Sequence, residues 1–215
     1  MEYNIKSLGI KIALISINRN EEQRTVIVKT KSLKTSSLFP QINNIYRISY
    51  DEQFRPLALN RSVSQKELLE EINTNYDHNT QKAIMSRSST HNSSTYTISK
   101  NSRDPFSLLA YIGTGKAAEG VYNIDGNGLP WQAKVRSFET EIVKTSLGKY
   151  LAKRYDLTFT NLTGKKMPYT DMVTFNMLSE NNKMSLWVSE ENVILKALVK
   201  KGAISVTWEI IGISQ

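Results

Sequence analysis

From Lys183 to Ile211 apolar and polar residues alternate with the period of two that a half-buried strand imposes. The stretch divides into three strands of an antiparallel meander. With Lys201-Gly202 at the corners of a two-residue turn, Lys200 faces Ala203, Val199 faces Ile204, Ala197 faces Val206, Leu195 faces Trp208 and Val193 faces Ile210. Carried across the loop Ser189–Asn192, the same rule sets Val188 against Val193, Leu186 against Leu195 and Met184 against Ala197, all on one face. The opposite face carries Trp187, Ile194 and Leu198 among Ser185, Lys196, Ser205, Thr207 and Glu209, with Trp187 opposite Ile194. A sheet apolar on one face and partly apolar on the other needs a cover on both.

The rest of the chain repeats this theme in shorter pieces. Gly9–Ile17 is apolar in both phases, which predicts a strand covered on both sides, and Arg24–Lys31 returns as its hairpin partner. Residues 33–44 fit either a short helix beginning near Ser36 with Pro40 in its first turn or an irregular crossing. Ile45–Tyr50 and Phe54–Val63 form a second hairpin, and Pro56 predicts an edge or a bulge there because proline cannot donate to a ladder. Ser64-Gln65-Lys66-Glu67 resembles a capping box before Leu68, Leu69 and Ile72, yet the regular spacing of neighbouring strands favours a strand over Gln65–Tyr76. Gln81–Ser86 and Thr95–Lys100 flank an exposed polar tip.

Asp104-Pro105 starts the clearest helix, with a favoured N-cap and a favoured first residue, and Gly113 stops it after Ile112. A helix so short and apolar must rest on an apolar surface. Val121–Ile124 and Trp131–Val135 then pair around Asp125–Gly128. Phe138–Lys144 and Lys149–Thr160 pair around Thr145–Gly148, with Leu151, Tyr155, Leu157 and Phe159 in the apolar phase, and Thr170-Asp171 caps a helical turn reaching Leu178. The fold class is all-β with one or two short helices: a curved antiparallel sheet or partly open β-barrel. At 215 residues one domain spanning 1–215 is expected.

Composition narrows the chemistry. There are no cysteines, which excludes thiolate metal sites, thiol nucleophiles and disulfides. The net charge of +8, from 28 Lys and Arg against 20 Asp and Glu, suits an anionic partner, but the cations are scattered as on an ordinary solvated surface. Aromatics do not interleave with arginine in a nucleic-acid motif, so no nucleic-acid partner is expected. No apolar run is long enough for a transmembrane helix. Met1-Glu2-Tyr3-Asn4-Ile5 lacks the basic-then-apolar pattern of a signal peptide, as expected of a cytosolic chain or of a mature chain carrying a new Met1.

Certain letters occur in a familiar order: Glu2-Tyr3 with Leu8-Gly9-Ile10, Phe54-Arg55-Pro56-Leu57, Asp104-Pro105-Phe106-Ser107-Leu108-Leu109, Glu141 followed by Gly148-Lys149-Tyr150, and Leu186-Trp187-Val188-Ser189. On these the chain resembles the bacterial envelope family catalogued as domain of unknown function 3108, over nearly its whole length. The resemblance implies an exported protein of the periplasm or cell envelope, lipoprotein-carrier-like, in which a short helix closes over an apolar concavity. The chain departs from the family near Leu195, where a proline is usual, and in lacking a signal segment.

No residue set announces a reaction. His78 and His91 sit beside turn residues without a third partner, and neither is expected to act. Asp51-Glu52, Glu139 with Glu141, and Glu190-Glu191 are carboxylate pairs of the kind glycosidases use, but acids in turns and on solvent faces are ordinary, and Lys149 or Lys153 lies opposite for charge pairing. Gly113-Thr114-Gly115-Lys116 lacks the spacing and context of a phosphate loop. No catalytic residue, metal or cofactor is expected. The leading reading is a non-enzymatic protein holding a lipid-like or acyl ligand between helix and sheet, with Phe106, Leu109, Trp187, Ile194 and Leu198 lining the site. The alternative is a structural or assembly module that recruits an envelope protein or glycan partner; an envelope hydrolase ranks last.

Overall fold

The computed structural model describes residues 1–33 and 40–213. Fourteen strands form one antiparallel sheet: β1 Glu2–Ser7, β2 Ile10–Asn20, β3 Thr25–Ser32, β4 Asn43–Tyr50, β5 Pro56–Gln65, β6 Leu68–Asp77, β7 Lys82–Arg87, β8 Asn92–Thr97, β9 Gly120–Asp125, β10 Pro130–Thr145, β11 Gly148–Asn161, β12 Asn182–Ser189, β13 Ile194–Lys201 and β14 Ile204–Gly212. Two helices interrupt it, α1 Pro105–Ile112 and α2 Met172–Met177. Strand accounts for 62% and helix for 7%. The order β8-β7-β6-β5-β4-β3-β2-β1-β14-β13-β12-β11-β10-β9 joins two meanders through the pairing of β1 with β14. The sheet curls without closing, so β8 and β9 are its free edges.

The seam between those edges is fastened by other means. Arg103 forms a parallel bridge to β9: its N–H donates to the Asn123 carbonyl at 2.9 Å, and the Asp125 N–H donates to its carbonyl at 2.7 Å. Asp125 Oδ2 accepts from Tyr76 Oη at 2.9 Å and from Tyr96 Oη at 2.7 Å, tying β9 to β6 and β8. β8 itself is short and rich in serine and threonine, as an unpaired edge should be.

Helix α1 forms where expected. Asp104 accepts from the N–H groups of Phe106 and Ser107, the Ser107 hydroxyl closes the capping box, and Pro105 holds the first position. Every residue of α1 except Tyr111 is buried, because the helix fills the space inside the curled sheet. Phe106 packs on Tyr46 with ring centroids 4.6 Å apart. Asp171 caps α2 in the same manner, through Thr174.

The meander lies where the alternation sets it, with Met184, Leu186, Val188, Leu195, Ala197, Trp208 and Ile210 all buried on the inner face. Its pairing differs by two residues. Gly202-Ala203 occupies the turn, so Lys201 faces Ile204, Val199 faces Val206 and Ala197 faces Trp208. Gly202 takes the first central position with φ 58°, where a II′-type turn requires glycine. Met184 likewise faces Val199 and Leu186 faces Ala197. A bulge between Trp187 and Val188 then sets Val188 against Ile194, so Trp187 faces Lys196 instead of Ile194.

Two smaller expectations are corrected and others are met or lie outside the described residues. β2 is buried on one face only, through Ala13 and Ile15, while Ile10 is exposed. Of the two places expected for Pro56, the bulge is the one found: it opens β5 opposite a register shift between Ser49 and Tyr50, while β5 itself lies inside the sheet between β4 and β6. Leu151 is exposed, because β10 and β11 run past the end of β12. The helix expected, as one of two alternatives, to begin near Ser36 falls on residues outside those described; after them Ile42 bridges to Gln65 and β4 starts at Asn43. Gln65–Tyr76 holds strand β6 after a turn at Lys66-Glu67.

Candidate functional site

The curl of β10 and β11 shapes a groove on the outer surface of the sheet. A one-residue bulge places Phe138 and Glu139 against Arg154, where the hairpin bends. Beyond the bend β10 approaches β13 and β14. The tip is anchored there: the Ser146 N–H donates to Glu209 Oε1 at 3.1 Å and the Ser146 hydroxyl to the Ile210 carbonyl at 3.0 Å. Trp187 Nε1 donates to Glu141 under the same overhang. The outer face of the meander, partly apolar by sequence, thus receives its cover from the hairpin, and the inner face from α1 and the opposite wall.

Below the bend the outer faces of β10–β13 enclose a groove of about 650 Å³. Cross-strand pairing organises its floor into three rows. Lys134, Thr158, Lys183 and Lys200 make the first; Arg136, Asp156, Ser185 and Leu198 the second; Phe138, Arg154, Trp187 and Lys196 the third. Five cations line the groove, Lys134, Arg136, Arg154, Lys183 and Lys200, with Asp156 as its one carboxylate. Asp156 pairs with Arg154 at 3.3 Å. The Arg154 guanidinium lies 4.1 Å from the Phe138 ring centroid, and the Lys196 ammonium 5.5 Å from that of Trp187. Among the described residues Lys134, Arg136, Lys183, Lys196 and Lys200 form no ion pair. Lys183 stands directly opposite Lys200, an arrangement that destabilises a sheet unless something compensates it.

The interior is nearly filled. Between α1 and the walls a cavity of about 40 Å³ remains, lined by Tyr3, Val28, Phe106, Leu109, Ile194 and Trp208 among others. That is room for a water or two. The five expected ligand residues therefore divide. Phe106, Leu109 and Ile194 meet at this inner cavity, the bulge having turned Ile194 inward, while Trp187 and Leu198 lie on the far side of the sheet in the outer groove.

A buried polar cluster also lies inside the sheet. Arg61, 1% exposed, projects inward from β5, and its Nε and Nη1 have no hydrogen-bond partner among the described residues. Around it stand Asp104, Asp125 and Asp171 and the hydroxyls of Tyr46, Tyr76 and Tyr96. Tyr46 accepts from Asn44 and donates to Asp171 Oδ1, both at 2.8 Å. Burial pushes the Asp104 and Asp125 carboxyls above the usual range, against the pull of their hydrogen bonds and of Arg61. These acids cap helices and fasten the seam. Sequence reading missed the cluster, although Arg61 falls in phase with Leu59 and Val63, and that phase was its signal. It missed the basic rows for the converse reason: lysines alternating with apolar residues look like any solvated face until four strands align.

The other chemical candidates stay apart. His78 Nε2 lies 2.8 Å from the Pro56 carbonyl, and His91 occupies the turn after β7 with φ 52°. Glu141 is engaged by Trp187, and neither it nor Glu139 pairs with Lys149 or Lys153 among the described residues. No helix of the described residues is long and apolar enough to cross a membrane.

Fold and grooves together define an open, barrel-like antiparallel protein with a helix inside and a basic outer trough. No family model matches the chain, and no curated protein matches it. Among solved structures it is similar to the β-barrel-like protein of domain of unknown function 1849 from Brucella abortus, with a TM-score of 0.62 and 8% identity over 98% of this chain and 94% of that one. It also aligns with the hypothetical lipoprotein YmcC from Escherichia coli at 9% identity, over 100% of this chain and 84% of that one, with a TM-score of 0.39. The first likeness is one of fold; the second is too distant to carry an argument.

Proposed function

We propose that this chain is a non-enzymatic cell-envelope protein that holds an anionic, partly apolar molecule in the outer groove of β10–β13. One observation carries the reading: five cations line a groove whose single carboxylate is already paired. An anionic head group on the lysine row relieves the opposition of Lys183 and Lys200, and Phe138, Trp187 and Leu198 offer apolar surface to whatever is attached to it. A phospholipid-like amphiphile meets both demands. The groove's volume falls in the range of small-molecule sites, roughly 300–1,000 Å³, whereas about 40 Å³ inside the sheet does not admit an acyl chain. The envelope location, and the tie to domain of unknown function 3108, rest on the motifs quoted above, such as Asp104–Leu109 and Leu186–Ser189.

Titration with monomeric dihexanoyl phosphatidylglycerol and, separately, dihexanoyl phosphatidylcholine tests the reading. The expected result is tighter binding of the anionic lipid, weakened by salt, and reduced at least about tenfold in Lys183→Glu/Lys200→Glu, each lysine contributing on the order of 1 kcal/mol. Equal affinity for the two lipids sinks it. A response to trigalacturonate in place of both lipids assigns the groove to the acidic-glycan alternative.

A further inference from the structure

The two ends of the sheet differ in charge. At one end lie the turns β1–β2, β5–β6, β7–β8, β9–β10 and β13–β14 and the long passage from β11 through α2 to β12. Exposed lysines crowd this end: Lys11 after the first turn, Lys66 in the β5–β6 turn, Lys165 and Lys166 in the α2 passage, and Lys200 and Lys201 at the last turn. The exposed acids on those connections are Glu67 and Glu180. The connections of the opposite end carry Glu21 and Glu22, Asp51 and Glu52, Asp77, Glu119, and Glu190 and Glu191, against exposed Arg24, Lys82, Lys100, Lys116, Lys144 and Lys149; there Arg19, Arg24 and Arg55 pair with Glu21, Glu52 and Asp51. The first end thus carries a basic excess, and the opposite end, where acids and cations nearly balance, carries none.

At the basic end three exposed aliphatic side chains stand together. Leu8 is 74% exposed, Ile10 55% and Ile204 56%. They are neighbours, because Ser7 pairs with Ile10 on one side and with Val206 on the other. Leu8 holds φ 50° beside Gly9 at φ 79°, the first central position of a tight hairpin turn that asparagine or aspartate ordinarily fills. Leucine at this position takes the left-handed backbone at a steric cost and is exposed.

We propose that this end docks on an anionic phospholipid surface, with Leu8, Ile10 and Ile204 entering the interface and the surrounding lysines meeting the head groups. Neither signal suffices alone, since weak apolar insertion and a weak basic patch each bind reversibly; together they hold a protein at a bilayer. The far end, which has no basic excess, then faces away, and this difference fixes the orientation. Docking goes beyond the groove's occupancy, because the leucine and isoleucines lie outside the groove.

Flotation with vesicles of phosphatidylglycerol and phosphatidylcholine, against vesicles of phosphatidylcholine alone, tests it. The chain is expected to float with the anionic vesicles only and to be released by about 0.5 M salt, which shortens the screening length below its physiological value of about 8 Å. Leu8→Ser/Ile204→Ser and Lys66→Glu/Lys166→Glu should each lower the bound fraction at least fivefold, while Glu21→Lys/Glu190→Lys at the far end should not lower it. Wild-type flotation of both basic-end variants overturns the proposal, as does failure of the unmodified chain to float. If flotation is lost only in Arg136→Glu/Arg154→Glu, lipid is held by the groove, and the docking inference fails while the proposed function stands.

Discussion

Replacing Asp125 with alanine should loosen the seam of the sheet. Its carboxylate accepts from Tyr76, Tyr96 and the Gly128 N–H at 2.7–2.9 Å, and Tyr76 is almost wholly buried. Asp125→Ala leaves at least one buried hydroxyl without an acceptor, which costs about 1–3 kcal/mol, and removes two charge-assisted bonds worth roughly 1.5–3 kcal/mol each. Against this stands the desolvation that raises the Asp125 carboxyl, so the net loss should be about 3 kcal/mol. Asp125→Asn keeps an acceptor and sheds the buried charge, and should lose no more than about 1 kcal/mol. Because the folded-state pKa is raised, the contribution of Asp125 is fully present below the unfolded value of about 3.9 and is lost as pH rises through the higher folded value. The stability difference between the parent and Asp125→Asn should therefore shift in favour of the variant as pH rises. Urea unfolding, with amide exchange along β8 and β9, reads both effects. Alanine within about 0.5 kcal/mol of the unmodified chain, or asparagine worse than alanine, refutes the seam.

Two further predictions concern the frame. A Cβ at Gly126 would lie 2.3 Å from the buried Trp131 ring, so Gly126→Ala should cost about 1–3 kcal/mol in thermal or urea unfolding. Glu70 is held below the usual carboxylate range, chiefly by hydrogen bonds from Arg87 against the cost of burial and with help from Ser89. Its stabilisation is present above about pH 4.3 and lost as pH falls through its lower folded value. Glu70→Gln should therefore be less stable than the parent at neutral pH, and the gap should close in acid.

How far the letters reached is clearest in the meander. Alternation tells which face a side chain takes, and a slip of two residues leaves every face unchanged, so Leu186 and Trp208 were placed inside while their partners were not. The pairing was decided by which central position Gly202 occupies. The bulge at Trp187 is not written in the alternation, and it alone sends Ile194 inward and parts it from Leu198. Helix α1 was legible because its cap, its proline and its stop are local chemistry. The outer groove was not, because it needs the curl of β10–β11 to bring residues as distant as Lys134 and Lys200 together. Arg61 was not legible because the carboxylates and hydroxyls around it come from segments far apart in the chain.

Amide exchange of the chain with and without dihexanoyl phosphatidylglycerol bears most directly on the groove as the ligand site. Protection should rise along β10–β13, around Lys134–Phe138, Arg154–Thr158, Lys183–Trp187 and Lys196–Lys200, and leave Phe106–Ile112 unchanged. Protection concentrated on α1 and the strands lining the inner cavity would contradict the account and return the ligand to the interior.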